Sequence, residues 1–444
     1  MSVQQQRFCP IHAIGPQSMR LAVFISALLM LASGVEASCP AGISELLNPP
    51  SFRAWLKKQE ASDSAPPGTR TDLPVLIVGA GPAGLAMARD LKIRGIDFEV
   101  IEKSQSIGGI WNPENLDSPT YDHLEMHSSR DTSYLDERAS RSFRTYFSRA
   151  EAQQYLLQFT RRNDLWRDIQ FGKALTEIRR NDSGAWLAEI EGADQPAKAY
   201  RAVIVASGIH NKRNARVPED LWDQAIESGV QVLHSSSYRR PDHFANKNVI
   251  VVGVGNSGTE IAKAISRVAK KTISVMRSTP WIAPLFDPLG NPADRFLRRT
   301  ELVPEFIRRP LINRLQRSMI GHPSRLGFAP PEHEFLDKLP ISDRGYREAI
   351  LRREIQIRYD LQSIENGIAF FSDESVGPEP VDAIVFATGY RRDYPFISKD
   401  ILDLEAGGED MLFHIFHRRY TGLIVMNEVT GLQSAWPFFS NQAK

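Results

Sequence analysis

Two segments of this 444-residue chain carry glycines at a spacing that lets backbone approach a pyrophosphate: VLIVGAGPAGLAMA from Val75 and NVIVVGVGNSGTEIA from Asn248. In the first, Gly79 permits a tight turn after an apolar run, Gly81 leaves room for phosphate oxygens, and Gly84 lets the next helix lie close to the strand. The amides and positive end of that helix, predicted from about Pro82 to Arg94, would face the phosphates. Gly95 ends it, DFEVIE reads as a second strand, and Glu102 stands about 20 residues on, where a carboxylate binds ribose hydroxyls. In the second segment Gly253, Gly255 and Gly258 repeat the pattern around Ser257. TEIAKAISRVAKK continues it as a helix with Ile261, Ile265 and Val268 on one face.

The two segments differ in how their second strands end. DFEVIE finishes in a carboxylate, whereas TISVMR finishes in Arg277. A guanidinium suits a 2'-phosphate by charge and bidentate geometry, and a carboxylate would repel one. The first site therefore reads as an FAD site and the second as an NADPH site; the plain alternative for Arg277 is a solvent-facing cation at a strand end. After Glu102 comes KSQSIGGIWN, in which Gly108 and Gly109 allow close backbone approach and Trp111 is either an aromatic wall or a core side chain.

Positioning these residues calls for an α/β fold of two Rossmann-like dinucleotide-binding domains, with the NADPH domain inserted in the FAD domain. Ser148 and Glu151 have the spacing of a capping box ahead of a helix, and residues 169 to 206 alternate as short strands around an NDSG turn. YRAVIVASG, ending at Gly208, and GPEPVDAIVFATGY read as buried strands halted by small-residue turns, where the chain leaves and re-enters the FAD domain; such a turn is delivered to the cofactor crevice, so Thr388 and Gly389 are expected to bind cofactor. The domain reading is a signal-like segment and linker at 1–72, the FAD domain at 73–209 and 335–444, and the inserted NADPH domain at 210–334. Within the Pro- and Arg-rich stretch from Trp281 to Asp360, Leu311, Leu315 and Met319 have helical spacing. That stretch is expected to cover the substrate side, with membrane contact as a second reading.

Together, GAGPAG with Glu102, GGIW, GVGNSG with Arg277, FATGY from Phe386 to Tyr390 and HSSSYRR from His234 resemble the flavin-containing monooxygenases, a class B flavoprotein group, over most of the chain from residue 73. The resemblance implies FAD and NADPH as cofactors, with Trp111 along the flavin. It also implies a hydroperoxyflavin that oxygenates a soft nucleophile, an amine nitrogen or a thioether sulfur. Tyr238, where a Trp would point to Baeyer-Villiger enzymes, belongs to an HxxxY signature in which His234 is expected to be structural. Three departures stand out. Val230 occupies the usual glycine place ahead of that signature, with Gly229 one earlier. His127 in YDHLEMHSSR replaces the usual Asn, which makes it the candidate catalytic residue. An imidazole there would change charge near neutral pH, implying a shorter-lived peroxide and more H2O2 release. Relatives also continue past the Gln-Ala step into a last helix, whereas Gln433, Trp436 and Pro437 lie near the end of this chain. Those last two departures motivate the alternative of an NADPH oxidase or a degenerate nucleotide-binding protein without oxygen transfer.

Composition excludes other chemistries. Lys plus Arg number 54 against 53 Asp plus Glu, a net charge of +1, so no nucleic-acid partner is expected and clusters such as RRNDLWR read as solvated helix faces. The two cysteines, Cys9 and Cys39, precede the folded part and supply neither a metal set nor a redox pair. The partners expected are a small-molecule substrate and O2; oligomeric state is not encoded in any readable pattern. Residues 19 to 37, MRLAVFISALLMLASGVEA, look like a secretory signal too short to span a bilayer. An unused upstream start or a short packed helix are the other readings, and the need for reduced nicotinamide favours the cytoplasm.

Overall fold

A computed structural model describes residues 72–444 except 137–140, 194–196, 288, 301–302, 336, 339, 374–375, 407–410 and 427–434. The signal-like segment at 19–37 and Gln433 therefore lie outside the described residues. Of the described residues, 72–296 and 313–444 make one compact unit; 297–312 belong to a separate one and carry parts of the helices Ala293–Arg299 and Glu305–Met319, the latter with Pro310 inside it.

Two sheets organise the compact unit. The first, in spatial order, is Met411–Leu412, Phe416–His417, Leu423–Val425, Ala202–Val205, Val75–Val78, Phe98–Glu102 and Ile169–Phe171. Its last five strands are parallel, as buried β-branched runs favour. The second sheet is wholly parallel: Gln356–Tyr359, Lys271–Met276, Asn248–Val252, Ala383–Phe386 and Gln231–His234. Each glycine-bearing strand leads into a helix, Pro82–Ile93 in the first case and Asn256–Ile265 in the second. The second helix stops short of the expected length, so Val268 sits in the turn that follows.

Within this compact unit lie two nucleotide units, one built on each sheet, and they share one plan. In each, a three-stranded antiparallel sheet precedes the strand that pairs with the glycine-bearing strand: Ala174–Arg180, Trp186–Glu191 and Lys198–Tyr200 in the first, and Leu361–Glu365, Ile368–Phe371 and Glu379–Pro380 in the second. This corrects the expected boundary. Ala383–Phe386 pairs with Val249–Val252, so residues 356–386 complete the second sheet, and the chain returns to the first sheet after Phe386 and not at 335. The reason is a long-range approach: the Gly253 turn closes against the Ala387 carbonyl, which holds the strand ending at Phe386 beside the one ending at Val252.

The first core gathers Ile77, Leu85, Val100 and Trp111 with Tyr155, Phe159 and Trp436. Trp436 belongs to the C-terminal helix Ala435–Ala443, which lies against Pro82–Ile93, and Arg94 donates to the carbonyl of Lys444 at 2.8 Å. The capping box is present: the Ser148 hydroxyl accepts from the Glu151 amide at 3.2 Å and the Glu151 carboxylate accepts from the Ser148 amide at 2.9 Å.

Candidate active site

Both glycine turns close against backbone. Gly79 has φ +102°, and a side chain on it would meet the Ala206 carbonyl oxygen at 2.8 Å; Gly253, at φ +105°, would meet that of Ala387 at 2.4 Å. A Cβ on Gly84 would stand 1.9 Å from the Gly79 oxygen, and one on Gly258 2.0 Å from the Gly253 oxygen. Helix and strand can therefore be this close only as glycines. Gly81 and Gly109 face each other without side chains: a Cβ on Gly109 would lie 3.2 Å from the Gly81 Cα. Around Gly255 nothing lies within 4 Å of such an atom. Two side-chain-free cradles at helix N-termini fit two pyrophosphates.

The charged strand ends behave differently. Glu102 is buried, and its two carboxylate oxygens accept from the Ala80 and Ser104 amides, each at 2.8 Å, so it ties the glycine turn to the strand end. Arg277 is exposed, with no partner among the described residues. Trp111 is buried and packs edge-on to Trp436 with ring centroids 6.3 Å apart.

Thr388 and Gly389 lie where the two linkers run antiparallel. The Thr388 hydroxyl donates to the Arg216 carbonyl, the Arg216 amide donates to Gly389 at 3.0 Å, and the Arg391 amide donates to Asn214 at 2.7 Å. His234 caps its own turn, its Nδ1 accepting from the Ser236 amide at 3.1 Å, and burial lowers its pKa to about 4. Its ring meets Tyr390 edge-on, in keeping with a structural role.

His127 stands where the units meet. Its neighbour Met126 is in the first core, while the groups facing it come from the second unit. Nδ1 of His127 is 3.7 Å from Oε1 of Glu260, which lies on the helix Asn256–Ile265. Oε1 is 3.1 Å from Nε of Arg344, and Oε2 accepts from the Tyr121 hydroxyl at 2.5 Å. Arg344 also pairs with Glu125, donates to the Met126 carbonyl and lies over the Tyr146 ring, 5.3 Å from its centroid. Tyr121 is in turn held by Tyr238 of the HxxxY motif, ring centroids 5.8 Å apart.

Burial sets the charges of this cluster. It raises Glu260 to about 7 against the pull of Tyr121 and Arg344, and lifts Tyr121 well above its ordinary value. The His127 side chain is 35% exposed, yet burial of the ring, reinforced by Arg344, lowers its pKa to about 3. The expectation that its charge changes near neutral pH is thereby corrected: desolvation and a neighbouring cation both disfavour the imidazolium. Sequence reasoning missed Glu260, Arg344 and Tyr121. The available signal was a carboxylate two residues past Gly258, on the buried side of the fingerprint helix.

Residues 73–444 match the flavin-binding monooxygenase-like family. The chain belongs to this family. Flavin-containing monooxygenase 1 of Oryctolagus cuniculus is 28% identical over 392 residues, covering 83% of this chain and 72% of that protein; its Mus musculus counterpart is 29% identical over 389 residues with the same coverage. Among solved structures, a flavin-containing monooxygenase from Stenotrophomonas maltophilia aligns with TM-score 0.62 at 19% identity, over 84% of this chain and 97% of that one. S-allyl-L-cysteine S-oxygenase from Allium sativum aligns with TM-score 0.56 at 21% identity, over 84% and 75%. OTEMO in complex with FAD and NADP aligns with TM-score 0.63 at 17% identity, over 84% of both chains. As a member of this family the chain is a flavin-dependent oxidoreductase. Among the described residues no helix is long and apolar enough to cross a membrane, and no cluster of ligating side chains could hold a metal ion.

Proposed function

We propose that this monooxygenase transfers one atom of O2 to a soft nucleophile, an amine nitrogen or a thioether sulfur, with FAD in the first cradle and NADPH in the second. The other oxygen atom leaves as water and NADPH becomes NADP. The observation that carries the reading is a pair of glycine cradles ending in opposite charges, Glu102 and Arg277, with His127, Glu260 and Arg344 gathered between the units that bear them. FAD, reduced by hydride from NADPH, supplies the oxygen activation.

The chain's own residues bind and orient. Gly81 and Gly109 let backbone close on the FAD pyrophosphate, and the remaining lone pairs of Glu102 accept from a ribose. Trp111, braced by Trp436, would border the flavin. The turn from Gly255 through Ser257 receives the NADPH pyrophosphate, and Arg277 holds its 2'-phosphate. Thr388 and Gly389, pinned to Arg216 at the turn after the Ala383–Phe386 strand, would reach the cofactor crevice from there. His127, neutral at physiological pH, offers one hydrogen bond in the cleft without adding a charge there. The description of the Allium sativum neighbour as an S-oxygenase supports a sulfur substrate, and the demand for NADPH supports a cytoplasmic setting.

The test is purification followed by flavin absorbance, NADPH consumption and product analysis on a panel of tertiary amines and thioethers. N-oxide or S-oxide formed in proportion to NADPH supports the proposal. NADPH consumption yielding only H2O2 with every substrate overturns it in favour of an oxidase.

A further inference from the structure

Three polar atoms in the central cluster are buried without a hydrogen bond: Nδ1 of His127, Oε1 of Glu260 and Nε of Arg344. They converge, with Nδ1 3.7 Å and Nε 3.1 Å from the same Oε1. A buried polar group left unpaired costs roughly 1–3 kcal/mol, so three meeting at one point are best satisfied by one another. Shortening the His127–Glu260 separation by about 0.7 Å reaches an ordinary N–H to O distance.

Chemistry decides the direction of that bond. The Tyr121 hydroxyl donates to Glu260 and the Arg344 cation lies 3.1 Å from its Oε1, which makes the carboxylate the shared acceptor. A bare Nδ1 would set lone pair against lone pair, so the proton belongs on Nδ1. Because Nδ1 is sealed from solvent while the side chain remains 35% exposed, the open part of the ring includes Nε2.

We propose that Glu260 is a positioning residue: its carboxylate accepts the Nδ1–H of His127 and fixes the neutral imidazole with the Nε2 lone pair turned toward the cleft. His127 then acts as an acceptor for a bound N–H or O–H donor, whereas the other tautomer would donate. Glu260 sits on the helix whose N-terminus forms the second cradle, so the same helix that receives the nucleotide also sets the proton on this ring. The inference rests on the reading of His127 as a group facing the reacting molecules.

The test is the 15N spectrum of FAD-loaded protein carrying 15N-labelled histidine, at pH 8, with His127 identified by its loss in His127→Gln. The wild type is expected to show protonated Nδ1 and bare Nε2. Glu260→Gln is expected to shift His127 toward the Nε2–H form and to raise H2O2 formed per NADPH several-fold, with the KM for NADPH moved by less than about threefold; Glu260→Asp is expected to restore part of both. Protonated Nε2 in the wild type overturns the proposal, as does a tautomer that Glu260→Gln leaves unmoved. The wild-type spectrum alone decides the matter should the variant not fold. If the spectrum agrees but His127→Gln leaves coupled oxygenation intact, the role of His127 in the reaction fails while the pairing stands.

Discussion

Replacing Arg277 by Ala isolates the proposed 2'-phosphate contact. The guanidinium is exposed and has no partner among the described residues, so its removal leaves the fold within the roughly 0.5 kcal/mol typical of surface changes. Its whole effect then falls on the nucleotide. A hydrogen bond to a charged group contributes about 1.5–3 kcal/mol, which is about 10- to 150-fold in affinity. The assay is flavin reduction under anaerobic conditions with NADPH and with NADH as donors. Half-saturation for NADPH is expected to rise by that factor, whereas NADH, which has no 2'-phosphate, should be unaffected. Arg277→Lys should lie between, keeping the charge but losing the fork. A ratio of NADPH to NADH efficiency unchanged within twofold, in protein of normal melting temperature, would refute the assignment.

Gly258→Ala puts a methyl group 2.0 Å from the Gly253 oxygen, so the second glycine helix must move at a cost of about 1–3 kcal/mol; NADP binding measured by titration should weaken at least tenfold while the protein stays yellow. Glu102→Gln turns an amide NH2 toward one of two backbone donors, leaving it unpaired at a cost of about 1–3 kcal/mol; the melting temperature and the FAD content after dialysis should both fall. Glu260 has a pKa raised from 4.5 to about 7, so its contribution to stability is complete below 4.5 and lost as pH rises through 7. Glu260→Gln should therefore gain on wild type between pH 5 and pH 8 by on the order of 3 kcal/mol, read as a difference in melting temperature. His127 is shifted the other way, from 6.5 to about 3, so its contribution is complete above 6.5 and declines with acidification. His127→Gln should gain on wild type as pH falls from 7 to 5, and equal pH profiles would count against the burial of that ring.

Much of the scaffold was legible because its constraints are local. Gly79, Gly84, Gly253 and Gly258 announce backbone contacts that no other residue permits, and the first helix, begun at Pro82 and stopped before Gly95, and both second strands follow from their apolar runs. The strand Ala383–Phe386 was misplaced because an apolar run halted by a small-residue turn looks the same in either sheet, and pairing across about 130 residues leaves no local trace. Trp111 was ambiguous for the same reason, since its packing depends on Trp436, more than 300 positions away. The central cluster was the least readable part. Tyr121, His127, Glu260 and Arg344 meet only once both units are folded, and the shifted pKa of His127 comes from that enclosure and not from its neighbours in the chain.

The insertion of one nucleotide unit inside the other has a consequence for how the polypeptide matures. All five strands of the second sheet lie between Gln231 and Phe386, an uninterrupted stretch that can assemble as soon as it emerges during synthesis. The first sheet begins earlier but must wait, because Leu423–Val425, which joins Ala202–Val205, is made only after every strand of the second sheet. The part made first is thus finished last, and until then its hydrophobic edge is exposed to whatever the nascent chain encounters.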